Sequence, residues 1–597
     1  MSATAFALPL NAEAFLNVER SARERRWVSR LDAGGRNVAL AIAQRTGMPD
    51  LVARILAGRG ATIGDADGFM TPRLRDLMPD PSTLTACDEA AKRLAQAVAR
   101  GERVAVFGDY DVDGAASSAL VARVLRDLGC EVEIYIPDRI TEGYGPNVAA
   151  VRGLRERGAD LLVTVDCGTM SFEAIDAANG LGLETVVVDH HQTGEELPNA
   201  LAIVNPNRQD DVSGLDNLCA TGVAFMVMVA LRRELARSDF PNLMAALDLV
   251  ALATVCDMVP LRSLNRAFVV QGLAIMRQGR NTGLRALARA ARISRALDVG
   301  HLGFLIGPRI NAGGRVGNAA LGAELLSTDD EDRATRIAEQ LEGYNRERQA
   351  IEARVLEDAE NEVQAEMRGA HPPVALVAGH DGWHPGVVGL VASRLKERYD
   401  RPAFAIGFDG SGRGTGSARS VPGLDLGALV RRAVSEGLLV KGGGHTMAAG
   451  LTIERARMGD FRAFVEEQAA RALDPDAVPE LAIDGAVASH GVTTDLVDAM
   501  EQAGPYGVGH PRPVLVLAEQ TLLDARTVGN GHVSLRLRGN DGTAVKGIAF
   551  RTAETQLGSF LSANVGGRIH LAGTLSIDDY RGTRNATIRV EDAALPV

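Results

Sequence analysis

Three carboxylates stand at alternate positions in Gly108-Asp109-Tyr110-Asp111-Val112-Asp113-Gly114, directly after the apolar run Val104-Ala105-Val106-Phe107. Carboxylates this dense repel one another unless cations neutralise them. Hard oxygen ligands at the mouth of a strand suit Mg²⁺ or Mn²⁺ better than zinc or copper. Taken alone, the stretch reads equally as an Asx-rich turn. The pattern recurs, however. Val163-Thr164-Val165 ends in Asp166-Cys167-Gly168, Val186-Val187-Val188 ends in Asp189-His190-His191, and an apolar helix before Pro260 presents Asp257. A single Asp at a strand end is usually a helix N-cap. Four such groups in one α/β unit, three of them at strand ends, predict a metal centre.

A second set of residues suits phosphate. Gly416-Ser417-Ala418-Arg419-Ser420 and Gly442-Gly443-Gly444-His445 read as glycine-rich loops offering backbone amides, a hydroxyl and a guanidinium. Arg309 and Arg315 either do the same from the first lobe or brace the helix that follows. Aromatic residues make up 4% of the chain, but holding a single strand takes few stacking platforms. Tyr144 and Trp383 are candidates; Trp383 reads equally as a packed interdomain aromatic.

The elements that must position these groups follow from periodicity. Residues 1 to about 100 look mainly helical, with apolar residues at helical spacing in Asn37–Thr46 and Asp88–Ala99. Strands are expected at Val104–Phe107, Val132–Ile136, Leu161–Val165, Thr185–Val188 and Ala202–Val204, with helices between most of them. Such alternation implies a parallel sheet covered on both faces, whose ligands bind beyond the carboxyl ends of the strands. A long helix runs from Asp329 to about Met367, its apolar stripe interrupted by Arg348. A second α/β region begins at Val374, and short strands separated by turns after about residue 478 suggest a small β-barrel.

The 597 residues are enough for several domains. A net charge of −12 argues against a chain coated in nucleic acid without excluding a locally basic groove. Lys92, Lys396, Lys441 and Lys546 are the only lysines, so positive charge is almost wholly arginine. Five scattered cysteines without C-x-x-C spacing suggest buried thiols in a reducing cytoplasm. No secretory signal or membrane-length apolar run is evident.

GDYDVDG, VDCG, DHH and CDMVPL, in this order and spacing, resemble the four motifs of the DHH phosphoesterase superfamily. Ile136-Pro137-Asp138-Arg139 followed by Gly143-Tyr144-Gly145, and Pro308-Arg309-Ile310-Asn311-Ala312-Gly313-Gly314-Arg315, narrow the resemblance to the bacterial RecJ nucleases. The two glycine-rich stretches look like a DHHA1 domain. Pro505-Tyr506-Gly507 and Gly509 to Pro513 resemble the opening of the RecJ OB domain, with His510 where an Asn is usual.

The resemblance covers essentially the whole chain. It implies an α/β protein, a two-lobed parallel-sheet DHH/DHHA1 core joined by a long helix, with a helical N-terminal region and a C-terminal OB-like β-barrel. The expected boundaries are 1–100 (helical), 101–320 (DHH), 321–370 (connector), 371–472 (DHHA1) and 478–597 (OB-like). The implied activity is 5′-to-3′ exonucleolytic release of mononucleotides from single-stranded DNA, using two divalent ions, Mn²⁺ or Mg²⁺. Asp166, leaving its strand between the other clusters, is expected to bridge the two ions; by analogy Asp109 and Asp111 hold one ion and Asp113, His190 and Asp257 the other. Asp109 is expected to substitute for a His that many relatives carry where Phe107 stands. His191 would face the scissile phosphate or leaving group, with Asp189 orienting a neighbour. Arg139, Ser417 and Arg419 would hold the 5′-phosphate, and Tyr144, Arg309, Arg315 and His445 would also contact substrate. The family further suggests DNA repair and recombination, a monomer without membrane attachment, and a single-strand-binding protein and a helicase as partners. Two rivals are a DHH phosphodiesterase acting on short oligonucleotides or cyclic dinucleotides, and a non-catalytic DHH-type DNA-binding protein.

Overall fold

The computed structural model describes residues 13–369, 371–474, 477–579 and 583–596. Two compact units emerge: residues 80–257 with 272–477, and residues up to 79 with 258–271 and 478–597. Strand β1 (Arg26–Ser29) belongs to the latter.

In the first unit, β2 (Arg103–Gly108), β3 (Glu131–Tyr135), β4 (Leu161–Val165), β5 (Glu184–Val188) and β6 (Ala202–Val204) form an all-parallel sheet in the order β3-β2-β4-β5-β6. Every residue of β4 is buried, as expected for strands covered on both faces. After β3 the chain crosses back over β2 to lay down β4, so the direction of winding reverses between these two strands. That reversal opens a crevice beyond their carboxyl ends. The register pairs Gly108 with Val165 and Val165 with Val188. Asp109, Asp166 and Asp189 therefore leave the sheet side by side.

The helix Val112–Asp127 follows β2 and is buried along nearly its whole length. Its small residues, Gly114 through Ala119, let it sink into the core. At Gly114 a Cβ would collide with the Asp109 backbone, so glycine is required where the helix turns back on the acidic loop. The connector helix Glu331–Met367 has 37 residues, about 55 Å at 1.5 Å per residue. Arg348, the interruption in its stripe, is buried and paired with Glu352 at 2.6 Å.

The second lobe carries β7 (Leu376–Asp381), β8 (Ala403–Phe408), β9 (Arg413–Arg419), β10 (Lys441–His445) and β11 (Ala448–Glu454), in the order β10-β11-β9-β8-β7. Two expectations are corrected here. The sheet is mixed, since only β7 and β8 run parallel. The glycine-rich stretches are antiparallel strands, not loops. Gly416 lies where any Cβ would meet Ile406 and Leu451 at 2.8 Å, so its glycine serves close packing within a strand.

The second unit is built on β12 (Glu480–Ile483), β13 (Gly485–Ala486), β14 (Leu515–Val528), β15 (His532–Arg538), β16 (Ala544–Ala549), β17 (Arg568–Asp578) and β18 (Asn585–Ala594). Strands β14-β15-β16-β18-β17 close into a five-stranded barrel through β14 and β17, with β16 and β18 parallel. The N-terminal region is mainly helical but contributes more than scaffold. β1 pairs parallel with β12, and buried Trp27 on β1 donates to Asp592 at 3.1 Å. Ile42, Ile55 and Leu56 share one core with Leu515, Leu535 and Leu571 of the barrel. Asp484 accepts from Arg59 at 2.6 Å and from Arg30 at 2.9 Å, tying the segments together. Cutting the chain near residue 475 would therefore open this core, not remove a separate domain. No helix among the described residues is long and apolar enough to cross a membrane.

His510 is buried in this unit between Phe69 and Tyr506, its ring stacked on Tyr506 at 5.2 Å, and it donates from Nε2 to the Ala503 carbonyl at 2.9 Å. Burial, reinforced by Arg266, Arg59 and Arg262, pushes its pKa down to about 3. The unfolded chain takes up this proton below the ordinary value of about 6.5, whereas the folded state excludes it. Stability is therefore lost as pH falls from about 6.5 towards 3, by up to ~1.4 kcal/mol per unit. The chain has two tryptophans, so in a Trp383→Phe background Trp27 fluorescence reports this unit alone. Urea unfolding should show a loss of roughly 1–2 kcal/mol between pH 6.5 and 5, most of which His510→Asn removes, the remainder coming from His570, which burial also lowers.

Candidate metal centre

The acidic groups converge at the crevice beside β2 and β4. Three ligand sets lie close enough to hold an ion: Asp109, Asp111 and Asp166; Asp113, His190 and Asp257; and Asp166, His190 and His191. Each is presented by a strand or helix end. Asp111 caps the helix Val112–Asp127, accepting from the amides of Asp113 (2.9 Å) and Gly114 (3.1 Å). Buried Asp113 accepts from the amides of Ala220 (2.6 Å) and Thr221 (2.8 Å), at the start of the helix Ala220–Leu235. Asp257 ends the helix Leu247–Cys256. Asp166 adopts a left-handed backbone, φ 61°, an unfavourable conformation for a residue with a side chain, of the kind that collects at functional sites.

Burial and mutual repulsion push Asp109 and Asp166 well above the usual carboxylate range; Asp113, Asp111, Asp109 and Asp257 all act on Asp166. Burial drives Asp257 and Asp113 the same way. Asp109 Oδ1 is buried without a hydrogen-bond partner among the described residues. An orphaned carboxylate oxygen among repelling acids is what a bound divalent cation relieves, and the donor set of carboxylates with one or two imidazoles fits Mn²⁺ or Mg²⁺.

The two histidines are set differently. His190 Nδ1 donates to the Leu218 carbonyl at 3.1 Å, leaving Nε2 facing Asp166 at 3.2 Å and Asp113 at 3.8 Å, a ligand's orientation. His191 Nδ1 pairs with Asp189 at 2.8 Å and lies 3.0 Å from the Tyr144 hydroxyl. Burial works against its charged form, but the bond to Asp189 prevails and raises its pKa. Burial alone would raise Asp189; the His191 bond, both histidine charges and Thr169 hold it below the usual range. Asp189 also accepts from the Thr169 amide (3.1 Å) and hydroxyl (2.7 Å), consistent with an orienting role.

Several contributors escape motif reading. Thr169 clamps Asp189. Buried Asn205 donates to Thr169 Oγ1 (3.0 Å) and to the His191 carbonyl (2.9 Å). Asn205 follows β6 as the acids follow their strands, and that position was the available signal. Phe107 points away from the cluster, stacked on Tyr135 within the core, so a ligand role there is absent.

The phosphate-binding expectations divide. Arg315, half-buried and bonded to the Gly386 carbonyl at 2.9 Å, is pushed down to about 10 by loss of solvent and by Arg139, Arg348 and Arg419, with Asp111 opposing. Arg139, Arg315 and Arg419 thus gather from both lobes beside the acids. Arg139 lies over the Tyr110 ring at 4.8 Å, and Arg419 bonds Ser417 Oγ at 3.0 Å. Tyr144 is 52% exposed and donates to the Asp166 carbonyl at 3.1 Å. Arg309 instead braces the connector, bonding Glu342 at 2.6 Å and the Leu305 carbonyl at 2.8 Å. Trp383 is 5% exposed, packed on Val355, Ala359 and Val363, and donates to Asp358, so the packed reading holds. His445 sits exposed on edge strand β10, separated from Arg419 by Ala448 of β11.

Comparison with known proteins agrees with this architecture. Family models match the DHH family N-terminal domain over residues 103–254, the DHHA1 domain over 372–471 and the RecJ OB domain over 483–592. The single-stranded-DNA-specific exonuclease RecJ of Dickeya dadantii is 36% identical over 91% of this chain and 96% of its own length. That of Escherichia coli is 35% identical over the same shares. The chain belongs to the RecJ family. The crystal structure of Thermus thermophilus RecJ in complex with Mn²⁺ superposes with a TM-score of 0.79 at 30% identity, covering 96% of this chain and 80% of the other. A further RecJ structure, bound to manganese, is 36% identical, with a TM-score of 0.56 over 67% of this chain and 97% of that one.

Asp166 is common to two of the ligand sets. Asp166→Ala should melt, metal-free, at or above the wild-type temperature, because one repelling charge is gone. The stabilisation that Mn²⁺ gives the wild type, ~2.7 kcal/mol at a hundredfold excess over Kd, should disappear. Thermal melts in EDTA and in Mn²⁺ measure both; full stabilisation of the variant by Mn²⁺ would refute the shared ligand.

Proposed function

We propose that this chain is a single-stranded-DNA-specific exonuclease that works from the 5′ end, hydrolyses phosphodiester bonds with two divalent ions and releases mononucleotides. The observation that carries the reading is the union of overlapping ligand sets with a three-arginine cluster from both lobes at one crevice. Asp109, Asp111 and Asp166 would hold one ion and Asp113, His190 and Asp257 the other. When bound, the ions supply an activated water and neutralise charge on the phosphodiester. His191, whose charged form the bond to Asp189 favours, is poised to give its Nε2 proton to the departing oxygen. Asn205 and Thr169 keep that pair aligned, and the open half of Tyr144 offers a face on which a base can stack.

Direction requires that an end be recognised, which ligand carboxylates alone do not do. A dianionic terminal phosphate is best held by arginine forks with a hydroxyl, and Arg139, Arg419 and Ser417 provide these. The intact carboxylates argue against a non-catalytic role, and the barrel argues against a phosphodiesterase confined to very short substrates. In this reading the DHH domain extends over 101–320, the DHHA1 domain over 371–472 and the OB-like domain over 478–597, the last sharing its core with the N-terminal segment. Action as a cytoplasmic monomer in repair and recombination, beside a single-strand-binding protein and a helicase, is part of the same reading and rests on family membership.

Arg419→Ala, and likewise Arg139→Ala, should weaken transition-state binding of 5′-phosphorylated strands by roughly 1.5–3 kcal/mol and affect 5′-hydroxyl strands far less. kcat/KM on both substrates measures this, and equal losses would make these arginines structural.

The barrel should add affinity for long strands. Exposed Arg536 and Lys546 pair across β15 and β16, and Phe550, 45% exposed, lies under Arg589 at 4.7 Å. Arg536→Ala with Lys546→Ala should weaken binding of long strands and lower the salt dependence by about 0.7 for each phosphate no longer neutralised. kcat on short oligonucleotides should not change; a salt slope equal to wild type would count against this face.

A further inference from the structure

The helix Gly307–Val316 carries a side chain with no task in the fold. Asn311 Oδ1 is buried without a hydrogen-bond partner, and no described group bonds its amide nitrogen. Leaving a buried polar atom unpaired costs about 1–3 kcal/mol, and asparagine is a poor helix-interior residue. Alanine would serve the fold better.

The unpaired oxygen marks a side chain the fold does not need, and its placement shows what the amide nitrogen can reach. Residues 307, 311, 314 and 315 share one face of the helix. At one end of that face, a Cβ on Gly307 would meet Cys256 Sγ at 2.6 Å, beside Asp257. At the other, a Cβ on Gly314 would meet the Tyr110 carbonyl at 2.7 Å, between Asp109 and Asp111. Glycines at both points bring the helix backbone hard against the two sides of the metal centre. Asn311 lies between them, and Arg315 stands one turn further on in the arginine cluster. Four residues of helix separate Asn311 from Arg315 by roughly 6 Å, the length scale of one sugar–phosphate repeat.

We propose that Asn311 donates from its amide nitrogen to a non-bridging oxygen of the first internucleotide phosphate, the scissile one, while the arginine cluster holds the terminal phosphate. This rests on the 5′-phosphate reading of the arginines. The helix is then a one-nucleotide ruler: Arg315 marks the end and Asn311 the bond to be cut, which fixes a mononucleotide as the product.

The test uses the full chain in Mn²⁺ with uncleavable 5′-phosphorylated strands, followed by fluorescence anisotropy. In one strand the first linkage carries a methylene in place of its bridging oxygen and keeps its charged oxygens; in the other it is a neutral methylphosphonate. Asn311→Ala should lose about tenfold in affinity for the charged strand and less than twofold for the neutral one. Its melting temperature without metal should equal or exceed the wild type. Equal losses on both strands, no loss on either, or dependence on the second linkage would overturn the contact. A lower melting temperature would make Asn311 structural and overturn it too. Arg419→Ala, measured on strands with and without the 5′-phosphate, reports separately on the end pocket. If its loss ignores the terminal phosphate, that pocket is wrong while the linkage result for Asn311 still stands.

Discussion

Repulsion among carboxylates is the constraint from which the rest of the catalytic unit follows. Asp109, Asp113 and Asp166 are almost fully buried and Asp257 stands beside them, an arrangement that no water-filled turn would force. The fold compensates in part with helix N-termini: the helix Val112–Asp127 turns its amides to Asp111, and the helix Ala220–Leu235 turns its amides to Asp113. What remains uncompensated, above all at Asp109 Oδ1 and Asp166, is the charge a pair of divalent cations supplies. Stability without metal has been given up at the site so that affinity for metal is gained there.

The opposite charge is gathered across the crevice with comparable strain. Burial first, and then the approach of Arg139, Arg348 and Arg419, depresses Arg315, with Asp111 opposing. An acidic half and a basic half facing each other make a site that is incomplete without a ligand carrying phosphates at one end and cations at the other. Arg309 and Arg348 are instead paired within the fold, on Glu342 and Glu352.

The other unit is held by a different device, a core shared between segments far apart in sequence. Asp484 with Arg59 and Arg30, and Asp592 with Trp27, join residues from opposite ends of the chain. A buried acid meeting two arginines is strongly destabilised by loss of either kind of partner, which makes the barrel and the N-terminal segment one folding problem.

The sequence by itself made legible the parallel sheet, the connector helix, the barrel strands and the clustering of the acids. Apolar runs of strand length, helical spacing and the placement of Asp109, Asp166 and Asp189 at strand ends are local signals, and the register merely aligns them. It misread β9 and β10 because glycine chosen for close cross-strand packing has the same composition as glycine chosen for a turn. It left Arg309 and Arg315 undecided, since an arginine's partner depends on which surface its helix meets. It passed over β1, Asn205 and Asn311 because their roles exist only in relation to distant residues: β12 for the strand, His191 and Thr169 for Asn205, and Cys256 and Tyr110 for the helix that carries Asn311. Chemistry confined to one strand end is written in the order of residues. Chemistry assembled across a crevice depends on how segments separated in sequence pack against one another, which the order of residues does not state.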